Sequence, residues 1–267
     1  MKNTQEIPVT FKSSSKLLRG FLHKPTSLKE FPAIVLCHGY FQSNKIGPLA
    51  LYVQLARSIA NQGIACLRFD YAGFGESEGD YLNASLRSMT VDLKNAIEFI
   101  KDYRGVDSAK LGVIGHSLGG NIGLHVTSTE SNIKLLCMLS PNTSNKDSNV
   151  KIFSSKEMKE MYETGITLRK GIPALINVYE QINSGLSFEK AKQVKAKSLI
   201  IYGDHDPYYK HDDYVRFSKA FKILPEIHSI KDADHNFLPV ASRIDLTTKI
   251  ITWVRRNYKY SNMDKSL

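Results

Sequence analysis

Short runs of consecutive apolar residues alternate along the chain with longer stretches in which apolar positions recur every three or four residues. The first kind reads as strands buried on both faces of a sheet, the second as amphipathic helices. Residues 7–11 and 17–23 predict an opening antiparallel pair, and 33–37, 64–69, 111–115, 133–140, 198–202 and 226–230 predict the strands that follow. Leu51, Leu55 and Ile59 mark one face of a helix over about 48–62, with Gly63 placed to end it. Ser85 is positioned to cap a second helix, whose stripe is Leu86, Met89, Leu93, Ile97 and Ile100 and whose stop is Gly105. A third begins directly after Gly115, and Leu246, Ile250, Trp253 and Val254 stripe the last.

Such alternation argues for an α/β fold: a mostly parallel sheet with helices on both faces, and a ligand site at the carboxyl ends of its strands. One segment departs from it. Residues 142–195 lie between two strands and far exceed an ordinary connection. They open polar (142–149) and then carry two helical patterns, one on Met158, Met161 and Tyr162, the other on Ile172, Leu175, Ile176, Tyr179 and Ile182. An insertion at the end of a strand is placed to cover a pocket. With no internal repeat and no low-complexity linker, the chain reads as one domain over 1–267 with a cap inserted at 142–195.

The run 111–115 leads into Gly115-His116-Ser117-Leu118-Gly119-Gly120, a G-x-S-x-G between a predicted strand and a predicted helix. That spacing belongs to a sharp turn that exposes Ser117 at its tip, with glycines where side chains would collide. A serine hydroxyl needs a general base, and the base needs an orienting acid. Both residue types follow in order, each after a strand. The run 198–202 precedes Gly203-Asp204-His205-Asp206-Pro207, and 226–230 precedes Asp232-Ala233-Asp234-His235. His235 is the expected base. His116, His125, His205 and His211 are less well placed, lying inside the elbow, within a helix, or before the last strand. Asp206 is favoured as the acid over Asp204 in the same loop, and Asp232 and Asp234 read as turn formers. Acyl transfer also needs N–H donors for the developing oxyanion. The Leu118 amide is one expectation; the Tyr40 amide, with Phe41 as the alternative, is the other, from the loop His38-Gly39-Tyr40-Phe41.

Composition adds mainly exclusions. With 42% hydrophobic and 23% charged residues in 267 positions, disorder, collagen and coiled coil do not describe the whole chain. No run approaches the roughly 20 apolar residues of a membrane span, and residues 1–10 hold no apolar signal core. Cys37, Cys66 and Cys137 each lie in a strand-like run and read as small core hydrophobes rather than a disulfide or zinc framework. Together these point to the cytoplasm. The formal charge of +10 is spread along the chain; its densest cluster, Arg255, Arg256, Lys259 and Lys265, carries no nucleic-acid motif and reads as a solvated face. His205, Asp206, His211 and Asp212 could be grouped as metal ligands, but the helical signal beyond Pro207 favours a solvated face there too.

Five blocks in order resemble the α/β-hydrolase superfamily. They are His38-Gly39-Tyr40; the stretch from Arg68-Phe69-Asp70 through Gly73-Phe74-Gly75-Glu76-Ser77-Glu78-Gly79; the elbow 115–120; Gly203-Asp204-His205-Asp206; and Asp234-His235-Asn236-Phe237. The second block resembles a structural stretch of that superfamily. Within it the chain is similar to capped bacterial carboxylesterases of the feruloyl (cinnamoyl) type. The resemblance implies an α/β-hydrolase fold with a mostly parallel eight-stranded sheet and an inserted helical cap. It also implies hydrolysis of small-molecule carboxylic esters through an acyl-enzyme, with Ser117, His235 and Asp206 as the triad and no cofactor or metal. Thioesterase, acyltransferase, peptidase and carbon–carbon bond hydrolase reactions run on the same machinery. Tyr162 and Tyr179 are candidate substrate contacts in the cap, with plain packing the favoured reading. No nucleic-acid partner is expected, and a homodimer is compatible with the sequence.

Overall fold

The computed structural model describes residues 4–41, 43–144, 152–169 and 171–258. The strands are β1 (Thr4–Ser13), β2 (Lys16–Pro25), β3 (Phe31–Cys37), β4 (Ala65–Phe69), β5 (Val106–His116), β6 (Ile133–Leu139), β7 (Ile166–Arg169), β8 (Ile172–Leu175), β9 (Lys197–Gly203) and β10 (Glu226–Ile230). The helices are α1 (Leu51–Ala60), α2 (Leu86–Lys101), α3 (Leu118–Thr127), α4 (Ser155–Thr164), α5 (Ile176–Asn183), α6 (Leu186–Ala191), α7 (His211–Ser218) and α8 (Val240–Asn257). Eight strands form one sheet in the order β1-β2-β4-β3-β5-β6-β9-β10. β1 and β2 pair antiparallel, as do β2 and β4, and every pairing from β4 to β10 is parallel. This is the α/β-hydrolase sheet that the sequence leads one to expect.

The apolar strands bury both faces because a period of two sends alternate side chains to opposite helix layers. Ile34 and Leu36 of β3 join the core under α1 and α8, whereas Ala33, Val35 and Cys37 join the core under α2 and α3. The three cysteines are fully buried, and burial pushes the Cys37 and Cys66 thiols up to about 12. Ser85 caps α2 in a reciprocal box with Ser88. The chain leaves β3 for β4 on one side and returns to β5 on the other, so the loops after β3 and β5 open a crevice at their carboxyl ends.

Between β6 and β9 the structure departs from the expected pair of helices. The stripe containing Ile172 and Leu175 is not helical from its start: β7 and β8 form an antiparallel hairpin, and α5 begins only at Ile176. Pro173 explains the difference, since it disfavours a helical conformation at Ile172, and Gly171 at φ 79° turns the chain. Phe153, Met161 and Ala174 pack together with Phe41 from the loop after β3. Along the other side, Tyr81 donates to the Pro173 carbonyl at 2.7 Å, and the Gln181 amide oxygen accepts from the Leu86 amide at 2.9 Å. Residues 145–149 of the polar opening, and Lys259 and Lys265 of the basic cluster, lie outside the described residues. Arg256 pairs with Glu226. No helix among the described residues is long and apolar enough to cross a membrane.

The loops after β3 and β4 are bound by buried charge. Lys45 donates through Nζ to Asp70 Oδ2 and Glu76 Oε2, both at 2.6 Å, and through its amide to Asp70 Oδ1 at 2.6 Å. Arg68 donates to the Lys45 carbonyl at 3.2 Å, to His23 Nε2 at 2.8 Å and to Glu6 Oε1 at 2.6 Å. Asp70 is fully buried and Lys45 nearly so, whereas Glu76 is exposed. Asp70→Asn therefore leaves the Lys45 ammonium without its buried counter-ion and should lower unfolding stability by about 3 kcal/mol. Glu76→Gln should lower it by less than about 1 kcal/mol. Denaturant midpoints at neutral pH distinguish the two.

Candidate active site

At the end of β5 the chain reverses into α3 through Ser117, whose φ of 52° and ψ of −124° lie outside the regions open to ordinary residues. The strain is held by packing. A Cβ on Gly119 would strike the carbonyl oxygens of Cys37 and His38, and one on Gly115 would strike the Gly119 carbonyl. The Ser117 amide donates to the Leu139 carbonyl at 2.8 Å, tying the turn to β6. Ser117 is thus presented at the crevice, with the N-terminus of α3 beneath it.

The structure brings the three sequence-selected side chains into one hydrogen-bonded line. His235 Nε2 accepts from Ser117 Oγ at 3.0 Å, and His235 Nδ1 donates to Asp206 Oδ2 at 2.7 Å. Asp206 follows β9 and is fully buried; His235 follows β10 and is mostly buried. Burial pushes the Asp206 carboxyl up. Against it work the hydrogen bond and charge of His235, the Tyr208 amide at 2.8 Å and the Tyr214 hydroxyl at 3.1 Å, and the balance holds it below its ordinary value. Asp204, in the same loop, is exposed. Asp232 takes a left-handed turn conformation, and Asp234 accepts from the amides of Asn236 and Leu238 at 3.2 and 2.9 Å.

The loop after β3 lies against Ser117: a Cβ added to Gly39 would stand 3.3 Å from the Ser117 Cβ. His38 shapes this loop, donating through Nδ1 to the Gly39 carbonyl at 2.7 Å and accepting at Nε2 from the Tyr71 amide at 3.2 Å. The Leu118 amide begins α3 and so has no acceptor within its helix. Tyr40, Phe41 and Leu118 all border a cavity of about 410 Å³ that opens onto Ser117 and His235. Its wall mixes apolar groups, Ile152 and Ile182 from the insertion among them, with polar side chains such as Ser43, Asn44 and Asn142. No Asp, Glu, Lys or Arg borders it among the described residues. Tyr162 and Tyr179 are not among the bordering residues; Tyr162 is exposed and Tyr179 packs edge-on against Phe153.

His116 has a structural part that the sequence did not disclose. It is fully buried and accepts at Nδ1 from the Tyr52 hydroxyl at 2.7 Å. Through Nε2 it donates to the His235 carbonyl at 2.8 Å. Burial and the neighbouring His235 lower it to about 3, so it is a neutral strut holding the backbone of His235. The signal was its place inside the elbow; the partner, 119 residues away, was not legible.

The family model described as serine aminopeptidase, S33, matches residues 29–169, somewhat over half of the chain, and covers Ser117 but neither Asp206 nor His235. Among curated proteins, the chain is 30% identical over 135 residues to the quorum-quenching protein AidA of Acinetobacter baumannii, covering 49% of this chain and 42% of that protein. It is 21% identical over 239 residues to the acylamino-acid-releasing enzyme of Rattus norvegicus, covering 86% of this chain and 32% of that one. The chain thus spans less than half the length of these relatives. Among solved structures, ferulic acid-bound Est1E from Butyrivibrio proteoclasticus superposes with a TM-score of 0.79 at 18% identity, over 94% of this chain and 100% of that one. The esterase domain of a Rhodothermus marinus protein superposes with a TM-score of 0.69 at 19% identity, over 94% and 98%. At these identities the superpositions establish the α/β-hydrolase fold.

The buried histidines set the response to acid. Burial lowers His38 to about 4, as it lowers His116 to about 3, both below the ordinary value. Above about pH 6.5 both are neutral, folded or unfolded, and cost nothing. As pH falls below that, the unfolded chain binds protons that the folded chain refuses, and stability drops by up to about 1.4 kcal/mol per pH unit for each. His23 and His125, each lowered to about 4, act the same way. Urea unfolding should show stability falling from about pH 6.5 toward pH 4. His116→Gln should make that fall shallower.

Proposed function

The chain belongs to the α/β-hydrolase family described as serine aminopeptidase, S33, and within that family of serine hydrolases we propose that it is a carboxylesterase acting on small-molecule esters. The observation that carries the reading is the chemistry of the cavity. An aminopeptidase must hold the ammonium of a free chain terminus, and buried charge needs an opposite partner. The cavity offers no carboxylate among the described residues; its mixed wall of aliphatic, aromatic and uncharged polar side chains suits an uncharged reacting group beside Ser117.

In the proposed mechanism Ser117 Oγ attacks the ester carbonyl as His235 Nε2 takes its proton. Asp206 holds His235 in the Nδ1–H tautomer and stabilises the imidazolium. The amides of Leu118 and Tyr40 hold the oxyanion. Collapse of the tetrahedral species breaks the bond to the alcohol oxygen, which leaves with the proton from His235. Water, deprotonated by His235, attacks the acyl-enzyme and releases the acid and free Ser117. The same 3.0 Å contact between Ser117 and His235 would serve both half-reactions. We assign residues 1–267 to one domain and 142–195 to its cap, a reading supported by Ile152 and Ile182 on the cavity wall. We also assign the protein to the cytoplasm, a reading supported by its three buried cysteines, none of them in a disulfide.

Hydrolysis of p-nitrophenyl esters of graded acyl length tests the proposal. Wild type should turn over short to medium esters, and Ser117→Ala should lose at least about 10⁴-fold in kcat with KM little changed. Asp206→Asn should lose about 10⁴-fold by favouring the wrong tautomer of His235. Full activity in Ser117→Ala would remove Ser117 as nucleophile. Cleavage of aminoacyl p-nitroanilides in preference to esters would return the reading to an aminopeptidase.

A further inference from the structure

Arg169, the last residue of β7, is half-buried beside the cavity without an ion-pair or hydrogen-bond partner for its guanidinium among the described residues. Its central carbon lies 5.2 Å from the Phe153 ring centroid and 6.0 Å from that of Tyr208. Each ring leads to the site. Phe153 meets Phe41 at 5.9 Å, Tyr208 meets the His235 ring edge-on at 5.0 Å, and both Phe41 and Tyr208 border the cavity. The guanidinium therefore lies just behind the bordering residues, against Tyr208, which borders the pocket, and against Phe153, which reaches it through Phe41. Glu157, whose carboxyl is held down mainly by Ser154 and in smaller part by Arg169, has a carboxylate oxygen committed to the Ser154 amide at 2.7 Å.

Aromatic contacts satisfy the face of a guanidinium and leave its five in-plane donors unused. Those donors form a fork that matches a carboxylate. No Asp, Glu, Lys or Arg borders the cavity at Ser117 among the described residues, so the reacting part of the substrate is neutral there. The chain's net charge of +10 also favours the approach of an anion. We propose that Arg169 binds a carboxylate on the substrate, making this a hydrolase of half-esters or other carboxylate-bearing esters. The inference rests on the ester reading of the same site.

The test compares three substrates in wild type, Arg169→Gln and Arg169→Lys. p-Nitrophenyl butyrate supplies the neutral reference. Mono-p-nitrophenyl glutarate carries a carboxylate on the acyl side, and the butyrate ester of 4-hydroxybenzoate carries one on the alcohol side. In wild type at least one anionic ester should exceed its neutral counterpart in kcat/KM, mainly through KM. Arg169→Gln should lower that ratio by about tenfold, the scale of one charge-assisted contact, and Arg169→Lys should restore part of it. The arm that responds tells which side of the ester carries the anion. Calorimetric titration of glutarate into Ser117→Ala, with and without Arg169→Gln, reads the anion site apart from the chemistry. Loss of glutarate binding on removing Arg169 supports the site even where no ester is cleaved, an outcome that would count against the ester reading alone. Anionic-to-neutral ratios and glutarate binding that do not change in Arg169→Gln overturn the proposal.

Discussion

The site depends on one steric constraint: the first turn of α3 is packed against the end of β3 with no room for a side chain between them. Gly119 rests on the carbonyls of Cys37 and His38, and Gly115 rests on Gly119. This contact forces Ser117 into a conformation that costs about 1–3 kcal/mol and would relax in a looser turn. It also sets the Leu118 amide and the loop carrying Gly39 and Tyr40 on either side of the same hydroxyl. Two loops far apart in sequence can meet at Ser117 because the strands behind them are adjacent in a parallel sheet whose register is fixed by burial on both faces.

Around this constraint, polar groups do structural work at and behind a cavity that no Asp, Glu, Lys or Arg borders among the described residues. Lys45, Asp70 and Arg68 hold the 43–48 segment, His38 braces the loop carrying Gly39 and Tyr40, and His116 links Tyr52 to the backbone of His235. Apart from the bonds of Arg68 to His23 and of Tyr52 to His116, these hydrogen bonds go to backbone or to a counter-ion, so the polarity is spent on geometry. Among the described residues the pocket is then bordered by no Asp, Glu, Lys or Arg, and its polar atoms interact in partly buried surroundings that strengthen electrostatics.

The legible part of the sequence was the part governed by local rules. Runs buried on both faces identified the strands, the stripe after Ser85 identified α2, and the glycine spacing around Ser117 identified the turn, because each obeys periodicity or sterics within a few residues. Asp206 was preferred over Asp204, and the structure separates them by burial and by contact with His235, a distinction that depends on how the loop after β9 folds back. The insertion was read less well. Its apolar stripe fitted a helix, yet Pro173 and Gly171 made its first part a hairpin, so local backbone restriction outweighed amphipathic spacing. The partners of His116 and the ring contacts of Arg169 were beyond sequence reading, since both join residues that only tertiary packing brings near.

The way the insertion is fastened bears on how the pocket selects its ligand. Tyr81 holds the hairpin through the Pro173 carbonyl, Gln181 holds the start of α2, and Phe153 packs against Phe41 of the loop beside Ser117. The insertion is therefore continuous with the wall of the site rather than a separate layer above it. A change at Arg169 of β7 reaches the cavity through one intervening aromatic ring, and one at Ile182 of α5 reaches it directly, without altering the turn that presents Ser117. The fold thereby separates two requirements: the strained turn and its buried braces fix the reacting geometry, while the inserted segment is free to vary the shape and charge of what is brought to it.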